Sequence, residues 1–251
     1  MKLAELSWTE VRDRIQSRRD GVAILPLGAT EAHGPHLPLN TDVVISEGMA
    51  RRAAAALQAE GVTALVLPAI AYAPAEYAAE FPGTITISAT SAKAVMLDIA
   101  RALKAQHFSC LALANSHFDP TNVAMLREAA QEISGLGIKV AFPDFTRRAL
   151  AQTLTAEFVS GACHGGQFET SLVLADRPDL VDERARAKLA ENPASLVAAF
   201  AAGAKTFREA GGPQAYFGAP QRASAAEGEA TYAVMAEQLV AAVKAALHTP
   251  A

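Results

Sequence analysis

The sequence predicts an α/β fold, a three-layer α/β/α sandwich with a mainly parallel central sheet. Three observations predict it. Short apolar runs recur at positions 22–27, 64–67, 110–114 and 139–142, each reading as a strand buried on both faces. Between them lie stretches of helical apolar spacing at 43–60, 91–106 and 121–134, so strands and helices alternate as a parallel sheet requires. Hydrophobic residues fill 51% of the 251 positions, enough to cover such a sheet on both faces.

Taken in order, the first strand runs straight into Gly28 and a polar, Pro-containing loop. Asn40 or Thr41 can cap the helix that follows, which stops before Gly61. Ser91 and Thr121 are the expected caps of the next two helices, and Gly135 the expected stop of the second. Residues 145–192 mix helical pattern with the loop Gly161-Ala162-Cys163-His164-Gly165-Gly166, and 211–228, rich in Gly, Pro and Ala, should be irregular. A last helix over 229–247 should pack on the sheet. No repeat or linker divides the chain, so residues 1–251 read as one domain.

Composition excludes several functions. The formal charge is −4 and no basic run exceeds Arg51-Arg52 or Arg147-Arg148, so no nucleic-acid partner is expected. The first six residues lack a signal-peptide core, and no apolar run approaches the ~20 residues that span a bilayer. No membrane partner and a cytoplasmic location are therefore expected. Cys110 and Cys163 lack paired spacing, which leaves imidazole and carboxylate as the ligands for any metal. Neither a Gly-x-Gly-x-x-Gly run nor a Walker lysine is present.

The polar residues gather where an open parallel sheet puts its crevice, beyond the carboxyl ends of the strands. Four of the six histidines, His33, His36, His117 and His164, follow a predicted strand or sit in the Gly-rich loop. Glu31 and His33 are two apart, so extended backbone sends both to one side. Asp42, at the start of a helix, offers two oxygens that can bridge two cations. After the third strand, Asn115-Ser116-His117-Phe118-Asp119 repeats the device of imidazole and carboxylate two residues apart. This N/O set suits Zn²⁺, Mn²⁺ or Fe²⁺, two per subunit.

These residues resemble the creatininase family of creatinine amidohydrolases. The likeness is carried by Gly28-Ala29-Thr30-Glu31-Ala32-His33-Gly34-Pro35-His36-Leu37-Pro38, by Thr41-Asp42, by Phe81-Pro82-Gly83-Thr84, by His164 through Ser171 and by Ala223 through Gly228. It implies one metal on Glu31, Asp42 and His117 and a second on His33, Asp42 and Asp119, with Asp42 as the bridge. It implies that His164 moves a proton to the leaving nitrogen, at an ordinary imidazole pKa, and that Asp119 shares in catalysis. Glu169, His36 and Ser116 would stand behind them or touch substrate. It also implies a small-molecule amide as substrate and a homo-oligomer, hexameric in the family.

The chain departs from the family in three places. A shorter carboxylate, Asp119, stands where a Glu is common. Ala78 replaces a usual His three residues before Phe81. Trp8 is the only tryptophan, whereas creatininases close Trp over creatinine, so an amide other than creatinine is expected. The expected chemistry is attack on that amide by a metal-activated water. Two other readings stay open: Cys163 as a nucleophile with His164 as its base, and a metal-binding or scaffold subunit that has lost hydrolysis.

Overall fold

The computed structural model describes residues 1–16 and 21–248. Four parallel strands, β1 (Val22–Leu27), β2 (Ala64–Val66), β3 (Cys110–Asn115) and β4 (Lys139–Ala141), form one sheet in the order β2-β1-β3-β4. Val22 pairs with Ala64 on one side and with Cys110 on the other. The chain leaves β1 toward one edge to make β2, then returns across β1 to make β3 and β4. The switch point lies between β1 and β3, where such sheets open a crevice.

The described helices are α1 (Trp8–Gln16), α2 (Thr41–Ala59), α3 (Ala89–Ala105), α4 (Pro120–Gly135), α5 (Arg148–Ala151), α6 (Ala156–Ser160), α7 (Gln167–Asp176), α8 (Glu183–Arg186), α9 (Leu196–Ala201) and α10 (Ala225–His248). Alternation along each strand sorts them into layers. Val22, Ile24, Ala112 and Ala114 face Ile45 and Met49 of α2, Leu172 of α7, and Tyr232, Leu239 and Val243 of α10. Ala23, Leu25, Leu111 and Leu113 face Met96 of α3 and Leu126 and Ile133 of α4. The two apolar faces make the three-layer sandwich that the paired periodicities predict.

Several boundaries shift for identifiable reasons. Ser88, three residues before Ser91, caps α3 by accepting from the Ser91 N–H at 3.1 Å. Asp119 takes the cap expected of Thr121, because its Oδ1 accepts from Thr121 N–H at 2.7 Å and Asn122 N–H at 3.3 Å. Neither Asn40 nor Thr41 caps α2 through its side chain, and the Thr41 hydroxyl instead donates to Pro38 O at 2.7 Å. Gly61 turns left-handed after α2 as expected, whereas after α4 that turn falls on Gly137 and not Gly135. The expected absence of any long apolar run also needs correction. α10 is long and apolar enough to cross a bilayer, yet Tyr232, Met235, Leu239 and Val243 place one of its faces in the core.

Close helix contact depends on one glycine in α10. A Cβ at Gly228 would stand 1.9 Å from Ser171 O of α7, so the two backbones meet where only hydrogen fits. Gly228→Ala should lower the unfolding free energy by about 1–3 kcal/mol in urea titration, as overpacking does. Gly135→Ala, with nothing within 4 Å of the added methyl, should raise it by about 0.5 kcal/mol.

Candidate metal centre

The loop after β1 and the loop after β3 meet at the switch point, and α2 begins between them. Glu31, His33, Asp42, His117 and Glu169 are all buried there. A Cβ at Gly28 would lie 2.7 Å from the backbone of Asp42 and Val43, so glycine is what lets the start of α2 approach the end of β1. Asp42 thereby reaches into the crevice from the first turn of α2, where the helix dipole favours a carboxylate. Its Oδ2 accepts from Ala29 N–H at 3.2 Å, and its carbonyl accepts from the Ser116 hydroxyl at 2.6 Å.

Asp42 stands between two groups of ligand-type atoms, Glu31–Asp42–His117 and His33–Asp42–Glu169, each with its atoms within 4.8 Å of one another. His117 Nδ1 lies 3.0 Å from Asp42 Oδ2 and 3.2 Å from Glu31 Oε1. His33 Nε2 lies 3.3 Å from Asp42 Oδ1 and 3.5 Å from Glu169 Oε2, without the alignment of a hydrogen bond. The first group is the one expected. In the second, Glu169 of α7 stands where Asp119 was expected. Asp119 Oδ1 is committed to the N-terminus of α4, while its Oδ2 lines the same cavity and joins neither group.

Each imidazole is oriented by a main-chain carbonyl. His33 Nδ1 is 3.1 Å from Glu31 O, His117 Nε2 is 2.7 Å from Pro74 O, and His164 Nε2 is 2.8 Å from Ala32 O. Donation to those oxygens assigns the tautomers and turns the other nitrogen of each ring toward the carboxylates. Metal-binding histidines are held in this manner. Among the described residues no Lys or Arg pairs with Glu31, Asp42 or Glu169, and histidines are their only cationic neighbours. Three buried carboxylates without a fixed cation, facing oriented imidazole nitrogens, fit a divalent metal site.

Protonation reflects that charge balance. Burial works against charge on His33, but Asp42, Glu169 and Glu31 outweigh it and push its pKa up to about 10. His117 is likewise raised well above its ordinary value, against burial, by Glu31 and Asp42. Asp42 and Glu31 are lowered by these imidazoles despite burial. Glu169, buried and beside Asp42, is held up to about 8. Without a cation, protons on His33, His117 and Glu169 neutralise the pocket, and a metal must displace them.

His164 differs from the expectation of an ordinary imidazole. Burial and the charge on His33 lower it to about 4, so it is neutral at pH 7 and presents a bare Nδ1 3.8 Å from Glu31 Oε1. Asp119 lines the same cavity, its Oδ2 is buried without a partner, and burial raises its pKa to about 6. His36 joins neither group and is 2.9 Å from the Thr170 hydroxyl, while Ser116 steadies the Asp42 backbone. Burial and nearby carboxylates raise the Cys163 thiol well above its ordinary value, which works against the thiolate that the cysteine reading requires.

An aromatic roof, missed in the sequence, closes the cavity: Tyr77, Phe200 and Phe207 line it. The Tyr77 and Phe200 rings lie 4.0 Å apart, and Phe207 lies 4.3 Å from the His164 ring. Trp8 is exposed on α1. About 50 Å³ remains free beneath the roof.

The sequence profile of the creatininase family, described as creatinine amidohydrolase, matches residues 4–243. The chain belongs to the creatininase family. It is 33% identical over 196 residues to the creatinine amidohydrolase of Pseudomonas putida, covering 72% of this chain and 73% of that one. It is 32% identical over 224 residues to the mycofactocin precursor peptide peptidase of Mycobacterium tuberculosis (strain ATCC 25618 / H37Rv), covering 86% and 82%. A crystal structure of creatinine amidohydrolase superposes with a TM-score of 0.78 at 29% identity, over 99% of this chain and 98% of that one. Two further creatininase structures, each 28% identical with a TM-score of 0.76 over 98% of both chains, are described as a Mn form and a Zn-Zn type mutant. The family's members are hydrolases of C–N amide bonds.

The pKa directions set the pH response of the metal-free protein. The His33 proton contributes stability that is fully present below 6.5 and lost as pH rises through about 10. Glu169 keeps a proton that the unfolded chain releases near 4.5, so its contribution is lost as pH rises through about 8. In chelator, the unfolding free energy from urea titration should therefore fall between pH 6 and 10. Added Zn²⁺ should shrink that fall and, in weak buffer at pH 7, release protons.

Proposed function

We propose that this creatininase-family chain is a metal-dependent amidohydrolase acting on an amide other than creatinine. Two divalent cations would be held by Glu31, Asp42 and His117 and by His33, Asp42 and Glu169. The observation that carries this reading is the buried set of three carboxylates with no Lys or Arg partner among the described residues, faced by imidazoles whose far nitrogens are tied to the main chain. The descriptions of relatives as Mn and Zn-Zn forms support Mn²⁺ or Zn²⁺ as the ions. When bound, such ions would supply Lewis-acid polarisation of the amide carbonyl and lower the pKa of water toward 7.

The chain's own groups then handle binding and protons. Asp42 presents Oδ1 toward His33 and Oδ2 toward His117, which fixes the separation of the two half-sites. Asp119, with an unpartnered buried Oδ2 on the cavity wall, takes the proton lost by attacking water and delivers it to the departing nitrogen. His164, neutral with a bare Nδ1, accepts a hydrogen bond from the substrate N–H and so aligns the amide. Tyr77, Phe200 and Phe207 exclude bulk water, which strengthens every polar interaction beneath them. Exposure of Trp8, the sole tryptophan, and the Phe and Tyr roof support a substrate other than creatinine.

Turnover should appear in a panel of cyclic and linear amides assayed with Mn²⁺ and with Zn²⁺. Asp42→Ala should lose both equivalents of metal by elemental analysis and all measurable turnover. Metal-free native protein that still cleaves an amide would sink the reading, and a metal-loaded protein inert toward every amide would favour the scaffold alternative. Asp119→Asn should keep its metal and lower kcat by about 10²–10⁴-fold, as loss of a general acid–base group does.

A further inference from the structure

The space beneath the aromatic roof, about 50 Å³, has room for about one or two waters and not for an amide substrate. Some wall must yield when substrate enters. Four of its side chains, Phe118, Cys163, Leu196 and Phe200, also line a second cavity of about 680 Å³ on the far side. That volume is in the range of pockets that hold drug-sized ligands. Phe118, Cys163 and Phe200 are only partly buried, and Phe200 stands on the six-residue α9.

The chemistry of the outer groove is one-sided. Its floor is apolar, with Phe145 and Phe158, and its lining contains two arginines and no carboxylate. Arg127 is tied to Asp144, at 2.7 Å. Arg148 is exposed, and its guanidinium has no ion pair among the described residues. A planar guanidinium on the lining of an apolar groove is suited to a carboxylate, which it can grip with two parallel hydrogen bonds.

We propose that the groove is the site for the non-reacting part of the substrate: an apolar arm that passes the Leu196–Phe200 wall and ends in a carboxylate held by Arg148. The substrate class is thus an amide of an apolar, carboxylate-terminated molecule. This rests on the hydrolase reading for the reacting end, while the groove itself is tested by binding alone. The wall shared with the catalytic cavity and the charge of Arg148 on the lining favour substrate over a second copy of the chain as the occupant.

The probes are 5-phenylvalerate and its neutral analogue 5-phenylvaleramide, titrated by calorimetry into the Zn²⁺-loaded full chain. The carboxylate should bind about tenfold more tightly, the worth of one charge-assisted contact. Arg148→Gln should bring it down to the affinity of the amide, and Arg148→Lys should restore part of the difference. Equal affinities in the native protein, or a carboxylate preference that survives Arg148→Gln because the anion sits on the metals, would overturn the proposal. So would dissociation of an oligomer by Val197→Asp on the groove rim, which would mark a contact between copies. Arg148-dependent binding in a protein that cleaves no amide would instead leave the groove standing and remove the hydrolase reading.

Discussion

Burying three carboxylates in one pocket is unfavourable unless positive charge comes with them. Here no lysine or arginine among the described residues supplies it, and Asp42 carries the resulting constraint. It must sit at the first turn of α2, because the helix terminus favours its charge, and within reach of imidazoles from two separate loops. That demand explains the close approach of Gly28, the Ser116 hydrogen bond to the Asp42 carbonyl, and the seating of α2 against β1 and β3. The sandwich brings the loops together, and the charge problem they share is solved by protons or by cations.

The sheet was legible because β1, β2 and β3 are short runs of apolar residues buried on both faces, and burial on both sides writes that pattern directly into sequence. Glu31, His33 and Asp42 were legible because their spacing and the turn residues among them are local. Glu169 was not placed beside His33 and Asp42 because it lies on another helix, and nothing near it in sequence reveals that approach. Asp119 misled for the converse reason. Its spacing from His117 marks a ligand pair, but one of its oxygens caps α4 and the other, though it lines the cavity, falls in neither group around Asp42. Helix caps were displaced by a few residues for similar reasons: several Ser, Thr and Asp side chains near a boundary can serve, and packing selects among them.

The roof illustrates a different limit. Tyr77, Phe200 and Phe207 come from segments with no common motif, and only the fold of the loops around α9 stacks them over the imidazoles. A search for tryptophan in the chain finds an exposed residue on α1 and misses the closure altogether. The same packing explains the neutral state of His164: it is enclosed by the ring of Phe207 on one side and by charged His33 on the other.

The tethering of His33, His117 and His164 to carbonyls of Glu31, Pro74 and Ala32 has a consequence for how such a protein changes over generations. Every residue has a carbonyl, so no particular side chain need be preserved to keep these rings at their angle. Substitutions can accumulate in the walls around the centre, enlarging or recharging them, while the reacting end keeps its aim. A scaffold of this design separates the part of the molecule that performs chemistry from the part that chooses what enters, and leaves the second free to diverge.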